Sequence, residues 1–354
     1  MNFKNMNESA VSPIVATLVL IVVAVVGAVA VGTIMGTFSS DVAEQTNVGD
    51  VGGASSAEIL IAGSTTVQPA SELLAKAYMN AHQGVKVTVQ GGGSDAGIAS
   101  ALMGIADIGA ASKAVPDDAK YADLQTHQIG GSAVVVVTSD DTVKNMSSAM
   151  LKQAYELADA DGKVSLTVDV NGNVTAVAAG TTHTLFQRAE GSGTEETFAE
   201  WLGGDYKAAK NVDTSKAAGR TGNAGVLAAV KSTADSIGFV DYGFAVAADK
   251  ADGVQIVGMS SEADAYNDDI VYTASIDDGA SASTLKTQIK NSLKGTAKFP
   301  LDTVTGGKEL SRPLNYITSG SPNSVVKNYI EFAQSPGAKD LINDAGMFSI
   351  VEFV

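Results

Sequence analysis

The 354-residue chain contains no cysteine. That excludes disulfides, thiolate metal sites and a Cys-linked lipid anchor, and it fits any redox compartment. Histidine is nearly as scarce. The three residues, at 82, 127 and 183, show no metal-ligand spacing, so they read as surface or structural and no metal or other cofactor is expected. Charge is thin too, at 18% of residues against a usual soluble average of about 25%. Positive charge is the shorter side: 23 Lys and Arg face 39 Asp and Glu, for a formal net charge of −16. Nucleic acid and anionic lipid headgroups are therefore poor partners. Only three of the basic residues are arginine. The chain has no fixed-period repeat, no G-x-x-x-x-G-K-[ST] nucleotide loop and no long G-x-G-x-x-G fingerprint.

What the chain does have begins with one apolar run. No charged residue lies between Ser9 and Ser40, and Ile14 to Phe38 is almost wholly apolar. As a helix this run would span about 37 Å, enough to cross a hydrocarbon core of about 30 Å. Lys4 precedes it and Asp41, Glu44 and Asp50 follow, which favours an N-in, C-out orientation. Residues 1–38 are thus expected to be a leader and membrane helix. That helix is read either as a permanent signal-anchor or as a secretory signal cleaved near Ala28-Val29-Ala30. Residues 39–56 are polar and rich in Gly and Ser and read as a flexible tether.

From residue 57 on, short apolar runs alternate with helical patterns, which argues an α/β fold. Strands are expected at 57–63, 85–90, 106–111, 132–139, 182–190, 236–245 and 312–318, and a hairpin over 163–178 turning at Asn171-Gly172. Helices are expected at 68–82, with Leu73, Leu74, Ala77 and Tyr78 on one face, and at 94–104, capped by Ser94. Others are expected at 146–158, 194–204, 223–232 and near 284–294, and on either side of Ser335-Pro336. Sequons at Asn145 and Asn173 fit an exterior location.

Three strands run into helices through small hydroxyl-bearing loops: "AGSTTVQP" (62–69), "QGGGSDAG" (90–97) and "RAEGSGTEE" (188–196). Each offers backbone N–H groups at a helix start, Gly for close approach, and a Ser or Thr hydroxyl as a further donor. One such loop is explained by helix capping. Three in one chain, one of them carrying Arg188, point to a convergent oxyanion site. Glu190, two residues along the strand, lies on the same face as the guanidinium and can fix it.

In this order the loops resemble those of phosphate-binding proteins of phosphate ABC transporters, of the type II periplasmic-binding-protein-like fold. The resemblance rests on Gly63-Ser64-Thr65-Thr66, Gln90 to Ser94, Asp107 to Ser112, and Arg188 to Thr194, with "SIGFVDY" and "RPLNYIT" farther on. It implies two α/β lobes joined by crossing strands, lobe one at 57–134 plus 310–354 and lobe two at 135–309. It implies inorganic phosphate as ligand and an ABC transporter permease as partner. Thr65 and Thr66 would donate to the anion from the first loop, Ser94 from the second, and Ser192, Gly193 and Thr194 from the third. Arg188 would make the ion pair, supported by Glu190. Many family members carry Asp where this chain has Ser112, so selectivity for phosphate over other tetrahedral oxyanions is the property placed in question. The start of the chain, residues 8–32, resembles archaeal type IV pilin-like proteins, processed here between Ala10 and Val11. The protein is thus expected at the cell membrane, with its binding domain on the extracytoplasmic side. A pilin-like or adhesive filament subunit is the rival role. An enzyme is disfavoured, because no His has an evident role beside Ser192 and no G-x-S-x-G elbow occurs.

Overall fold

The computed structural model describes residues 57–203, 217–247, 253–260, 279–300 and 309–353. The leader, the apolar run and the tether, at 1–56, lie outside these residues. Among the described residues no helix is long and apolar enough to cross a membrane.

The first half opens with β1 (Ala57–Gly63), α1 (Gln68–Ala81), β2 (Val85–Gly91), α2 (Ser94–Leu102) and β3 (Ile108–Ala111). The three strands are parallel. Gly63 of β1 lies opposite Gly91 of β2 and Ala110 of β3. This register brings their C-terminal ends, and the loops that leave them, to one edge. α1 has Pro69 in its first turn, where the missing N–H costs nothing. Its buried face is Ala70, Ser71, Leu74, Ala75 and Tyr78, while the expected Leu73 and Ala77 are only partly buried. Small residues let the helix lie close to its neighbours. The buried Ser71 hydroxyl is matched by Tyr316 Oη at 2.8 Å.

β4 (Leu124–Thr138) is much longer than the expected 132–139. The second half continues with β5 (Asn145–Ser147), α3 (Ser148–Leu157), β6 (Lys163–Val168), β7 (Val174–Val177), β8 (Thr181–Arg188) and α4 (Gly193–Trp201). The β6–β7 hairpin turns as expected, with Gly172 at φ 84°. The two sequon asparagines bond to each other, Asn145 Nδ2 to Asn173 Oδ1, at 3.0 Å. β9 (Ala218–Arg220), α5 (Gly222–Ser232), β10 (Ser236–Asp241) and α6 (Tyr242–Ala247) follow. β10 stops well short of the expected 245. The Asp241 carboxylate accepts the Gly243 N–H at 3.1 Å and turns the chain into α6. β11 (Gln255–Ser260) was not expected, and α7 (Gly279–Leu293) starts earlier than expected. β12 (Ser311–Ser319), α8 (Ser324–Ala333), α9 (Lys339–Asp344) and β13 (Phe348–Ser349) complete the described chain.

The main strand order is β2-β1-β3-β12-β4-β10-β8-β6-β7. β4 is the spine. Its first part pairs with β12 and β13, and its second part with β10 and β11. Two apolar cores flank it. One gathers Ile59, Ile61, Leu74, Ile108, Ile129, Leu314, Tyr316 and Tyr329. The other gathers Val134 to Val137, Tyr155, Leu185, Phe198, Trp201 and Phe239. Phe198 stacks on Phe239 at 4.3 Å between ring centres. Burial of each such side chain stabilises the fold by about 1.5–3 kcal/mol. β4 supplies Ile129 to the first core and Val134 to Val137 to the second, and so crosses from one to the other; β12 pairs alongside it and adds Leu314 and Tyr316 to the first. Side chains buried on both faces explain the run of four valines in β4.

His183 is structural. It is buried, and its Nε2 meets Asp140 Oδ2 at 2.8 Å. Asp140 Oδ1 accepts from the N–H of Thr142 at 2.8 Å and from its hydroxyl at 2.7 Å. Burial pushes the Asp140 pKa up, but Thr142 and His183 together pull it below the ordinary aspartate value. A depressed carboxyl stabilises the fold above its unfolded pKa of about 3.9 and ceases to do so as pH falls through the lower folded value. Asp140→Asn is therefore expected to cost about 1–3 kcal/mol at neutral pH. The difference from wild type should shrink on acidification below about pH 4. Urea unfolding at several pH values measures it; a pH-independent difference would contradict the assignment.

Candidate anion-binding site

The three hydroxyl-bearing loops meet where the parallel strands end. The first follows β1. Ser64 Oγ accepts the Thr66 N–H at 3.2 Å and that of Val67 at 3.4 Å, so it ties the loop down. The Thr65 and Thr66 side chains are left to face across the site. The second loop follows β2. Its cap residue is Gly93, not Ser94, and Gly93 holds φ 92° and ψ 162°. A Cβ on Gly93 would fall 2.5 Å from the Gly191 carbonyl oxygen, so a side chain is excluded by the third loop itself. Ser94 begins α2 instead, and its hydroxyl is turned inward. It accepts the Ser112 N–H at 3.1 Å and lies 3.3 Å from Ser112 Oγ. Ser64 Oγ donates to Ser112 Oγ at 3.1 Å, which makes a buried chain of three hydroxyls.

The third loop joins β8 to α4. Ser192 is the N-cap of α4 and accepts from the N–H groups of Thr194 at 3.1 Å and Glu195 at 3.4 Å. Its own hydroxyl proton remains to be donated. Gly193 sits against the second loop. A Cβ there would lie 2.8 Å from both Ser112 O and Ser112 Oγ and 2.9 Å from Ser94 Oγ.

Arg188 ends β8 and is 3% exposed. Its Nε donates to Glu190 Oε1 at 3.0 Å, and its Nη2 also meets that oxygen. Glu190 Oε1 further accepts the Gly222 N–H at 3.0 Å, which locks the pair to the start of α5. The far edge of the guanidinium reaches Thr65 Oγ1 at 2.8 Å and Thr194 Oγ1 at 3.1 Å. Arg188 therefore bridges the first loop and the third.

Residues that the sequence reading passed over complete the cluster. Asn223, buried at the start of α5, gives Nδ2 to Thr66 Oγ1 at 2.9 Å and takes Arg188 Nη1 at 3.3 Å on Oδ1. Arg312, second in β12 and 3% exposed, reaches Thr66 Oγ1 and Thr194 Oγ1, each at 3.0 Å. It pairs with Asp241 Oδ2 at 2.8 Å. Asp241 Oδ1 accepts from Ser132 Oγ at 2.8 Å. The signal for these was available: an arginine and an aspartate, each inside an apolar run expected to be a strand, cannot stay buried unpaired. Asp95 lies in the first turn of α2. It pairs with Lys113 at 2.6 Å, and Lys113 also meets Glu196 of α4.

The cluster of Arg188, Arg312, Asn223 and the three hydroxyls of Thr65, Thr66 and Thr194 is rich in donors and poor in acceptors. It suits an oxyanion. Its two carboxylates, Glu190 and Asp241, are each engaged by an arginine, and His183 is paired with Asp140. No group of three or more His, Cys, Asp or Glu able to hold a metal ion occurs among the described residues.

A family model described as a PBP superfamily domain matches residues 43–336. The chain belongs to the PBP superfamily. Among curated relatives of this PBP chain is phosphate-binding protein PstS of Staphylococcus epidermidis, 26% identical over 196 residues, covering 51% of the chain and 54% of the relative. The chain thus spans about half the length of the curated relatives it matches. Among solved PBP structures is a substrate-binding protein assigned to a phosphate ABC transporter of Clostridium perfringens, with bound phosphate. It has a TM-score of 0.60 and 20% identity, and covers 83% of this chain and 99% of its own. An ABC-type phosphate transport receptor from Vibrio cholerae gives a TM-score of 0.55 at 22% identity, covering 82% and 99%. These structures share the α/β PBP-like fold of this chain.

The Gly193 contact is a test of how the loops meet in this PBP chain. Alanine suits a helix better than glycine by about 1 kcal/mol. Gly193→Ala should therefore keep α4 and the circular dichroism spectrum, but force the third loop off Ser94 and Ser112. A crystal structure of the variant should show the two loops parted; loops still in contact around an ordered methyl group at position 193 would contradict the packing described.

Proposed function

We propose that this protein is an extracytoplasmic, membrane-anchored solute-binding protein. It captures inorganic phosphate between two lobes, 57–134 plus 310–354 and 135–309, and delivers it to an ABC transporter permease. The observation that carries the reading is Arg188. It is buried, oriented by Glu190, and shares hydroxyls with loops from both proposed lobes. The two apolar cores, with β4 running from one to the other, support the division. The names of the PstS relatives supply the transport role. In this reading Thr65, Thr66, Ser94, Ser192, Gly193 and Thr194 donate to the anion, with Ser112 beside them. Contacts from both lobes form together only when the cleft is closed, so the ligand stabilises closure. The role is capture rather than catalysis. The apolar run at 14–38 is the anchor. Its pilin-like start bears on processing and needs no filament.

Removing one partner of a buried charge pair costs about 2–5 kcal/mol. At 1.4 kcal/mol per decade, Arg188→Ala is expected to weaken phosphate binding by roughly 30-fold to several thousandfold. Titration calorimetry with the full chain measures this, and a loss of less than about threefold, well under the 1.4 kcal/mol of one decade, would remove Arg188 from the site.

Ser112 governs selectivity. Near neutral pH phosphate carries protons that sulfate lacks. A buried carboxylate accepts only, so it rewards a proton-bearing anion and repels the other. Ser112 imposes neither condition, because its hydroxyl rotates. Competition titrations should show weak rejection of sulfate by wild type and stronger rejection by Ser112→Asp. Strong rejection by wild type, unchanged in the variant, would place selectivity elsewhere.

A further inference from the structure

Resting on the phosphate reading above, we propose that Arg312 is a second direct ligand of the bound anion. The oxyanion then lies between two guanidinium groups, each backed by its own carboxylate: Arg188 by Glu190, and Arg312 by Asp241.

The argument starts from donor counting. A guanidinium has five N–H donors. On Arg312 only Nη2 has partners, and it has three: Thr66 Oγ1, Thr194 Oγ1 and Asp241 Oδ2. Nε and Nη1 are buried and find no partner among the described residues. Three N–H bonds are thus left without acceptors in a side chain that is 3% exposed. Buried donors of this kind are rare and costly. A purely structural Arg–Asp pair would use the bidentate fork and satisfy two nitrogens. Asp241 does not offer it, because its Oδ1 is taken by the Ser132 hydroxyl and the Gly243 N–H. The carboxylate holds one corner of the guanidinium and leaves the rest unmet.

The second argument is position. Thr194 Oγ1 receives Nη1 of Arg188 at 3.1 Å and Nη2 of Arg312 at 3.0 Å. Thr66 Oγ1 receives Arg312 at 3.0 Å and Asn223 at 2.9 Å. Both hydroxyl oxygens are crowded with donors. An oxyanion held by Thr66 and Thr194 is within reach of both cations, and it brings the acceptors that the cluster lacks. Like charges close together in a buried place repel. Burial lowers the Arg312 pKa; Asp241 raises it, and the Arg188 charge lowers it again. An anion between the two removes that repulsion. Arg312 sits in β12, opposite Ser132 of β4, the strand that crosses between the cores. Its reach to the anion therefore does not depend on a loop.

The test is titration calorimetry of the full chain, as wild type, Arg312→Gln and Arg312→Lys, with phosphate and with sulfate. Arg312→Gln should bind phosphate at least 30-fold more weakly than wild type. Arg312→Lys, which keeps a charge, should lie between them. A folded Arg312→Gln within threefold of wild type would overturn the proposal. If that variant does not fold, Asp241→Asn decides. Losing its own carboxylate leaves Arg312 dependent on the anion. Phosphate should then raise the melting temperature of Asp241→Asn by more than it raises that of wild type. An equal or smaller rise would overturn the proposal. The wild-type titration separates the two claims. Wild type that binds neither anion removes both, whereas wild type that binds either one leaves Arg312→Gln, titrated with that anion, to decide.

Discussion

Two arginines share the hydroxyl of Thr194, and the rest of the structure is arranged around making that tolerable. A buried guanidinium must be paired, and here each has a carboxylate of its own. Glu190 comes from the same loop as Arg188, so that pair is local and is pinned by the Gly222 N–H. Asp241 comes from a different strand than Arg312. It is oriented by Ser132 across the sheet. The parallel pairing of β8 with β10, and the antiparallel pairing of β4 with β10 and β12, bring the ends that carry these charges together. Sheet topology and site electrostatics are one problem in this molecule.

The same constraint bears on the proposed function, in which a chain with a net charge of −16 holds an anion. Charges on the far surface are screened within about 10 Å at ordinary salt. What would act on an anion bound as proposed is the local set: two guanidiniums, oriented hydroxyls, and the N–H groups at the starts of α2 and α4. Glycine makes the set compact. Gly93 and Gly193 let the second and third loops touch where any side chain would hold them apart.

Much of this was legible from the residues. β1 and the β6–β7 hairpin declared themselves by alternation and by Asn171-Gly172, because local turn chemistry fixes them. The loop of Arg188 and Glu190 was legible for the same reason: both partners lie within three residues. What could not be read depended on distant pairing. Ser94 looked like a cap, yet Gly191 in another loop presses on residue 93 and hands the cap to glycine, which frees the Ser94 hydroxyl for Ser112. The inward face of α1 was misread by one step, since Ser71 is buried against Tyr316, 245 positions away. Arg312 looked like the start of a strand, and Asp241 like a residue in the middle of one, 236–245. Only the fold shows that they are one pair. β11 and the first half of β4 are set by their sheet neighbours rather than by their own composition.

The most direct test of the account is a crystal structure of the full chain grown with phosphate. The account predicts one tetrahedral anion per chain, within hydrogen-bonding distance of Thr65, Thr66, Ser94, Thr194, Arg188 and Arg312 together. An anion held only at the surface, or a cluster around Thr194 that stays closed on itself at saturating phosphate, would contradict it.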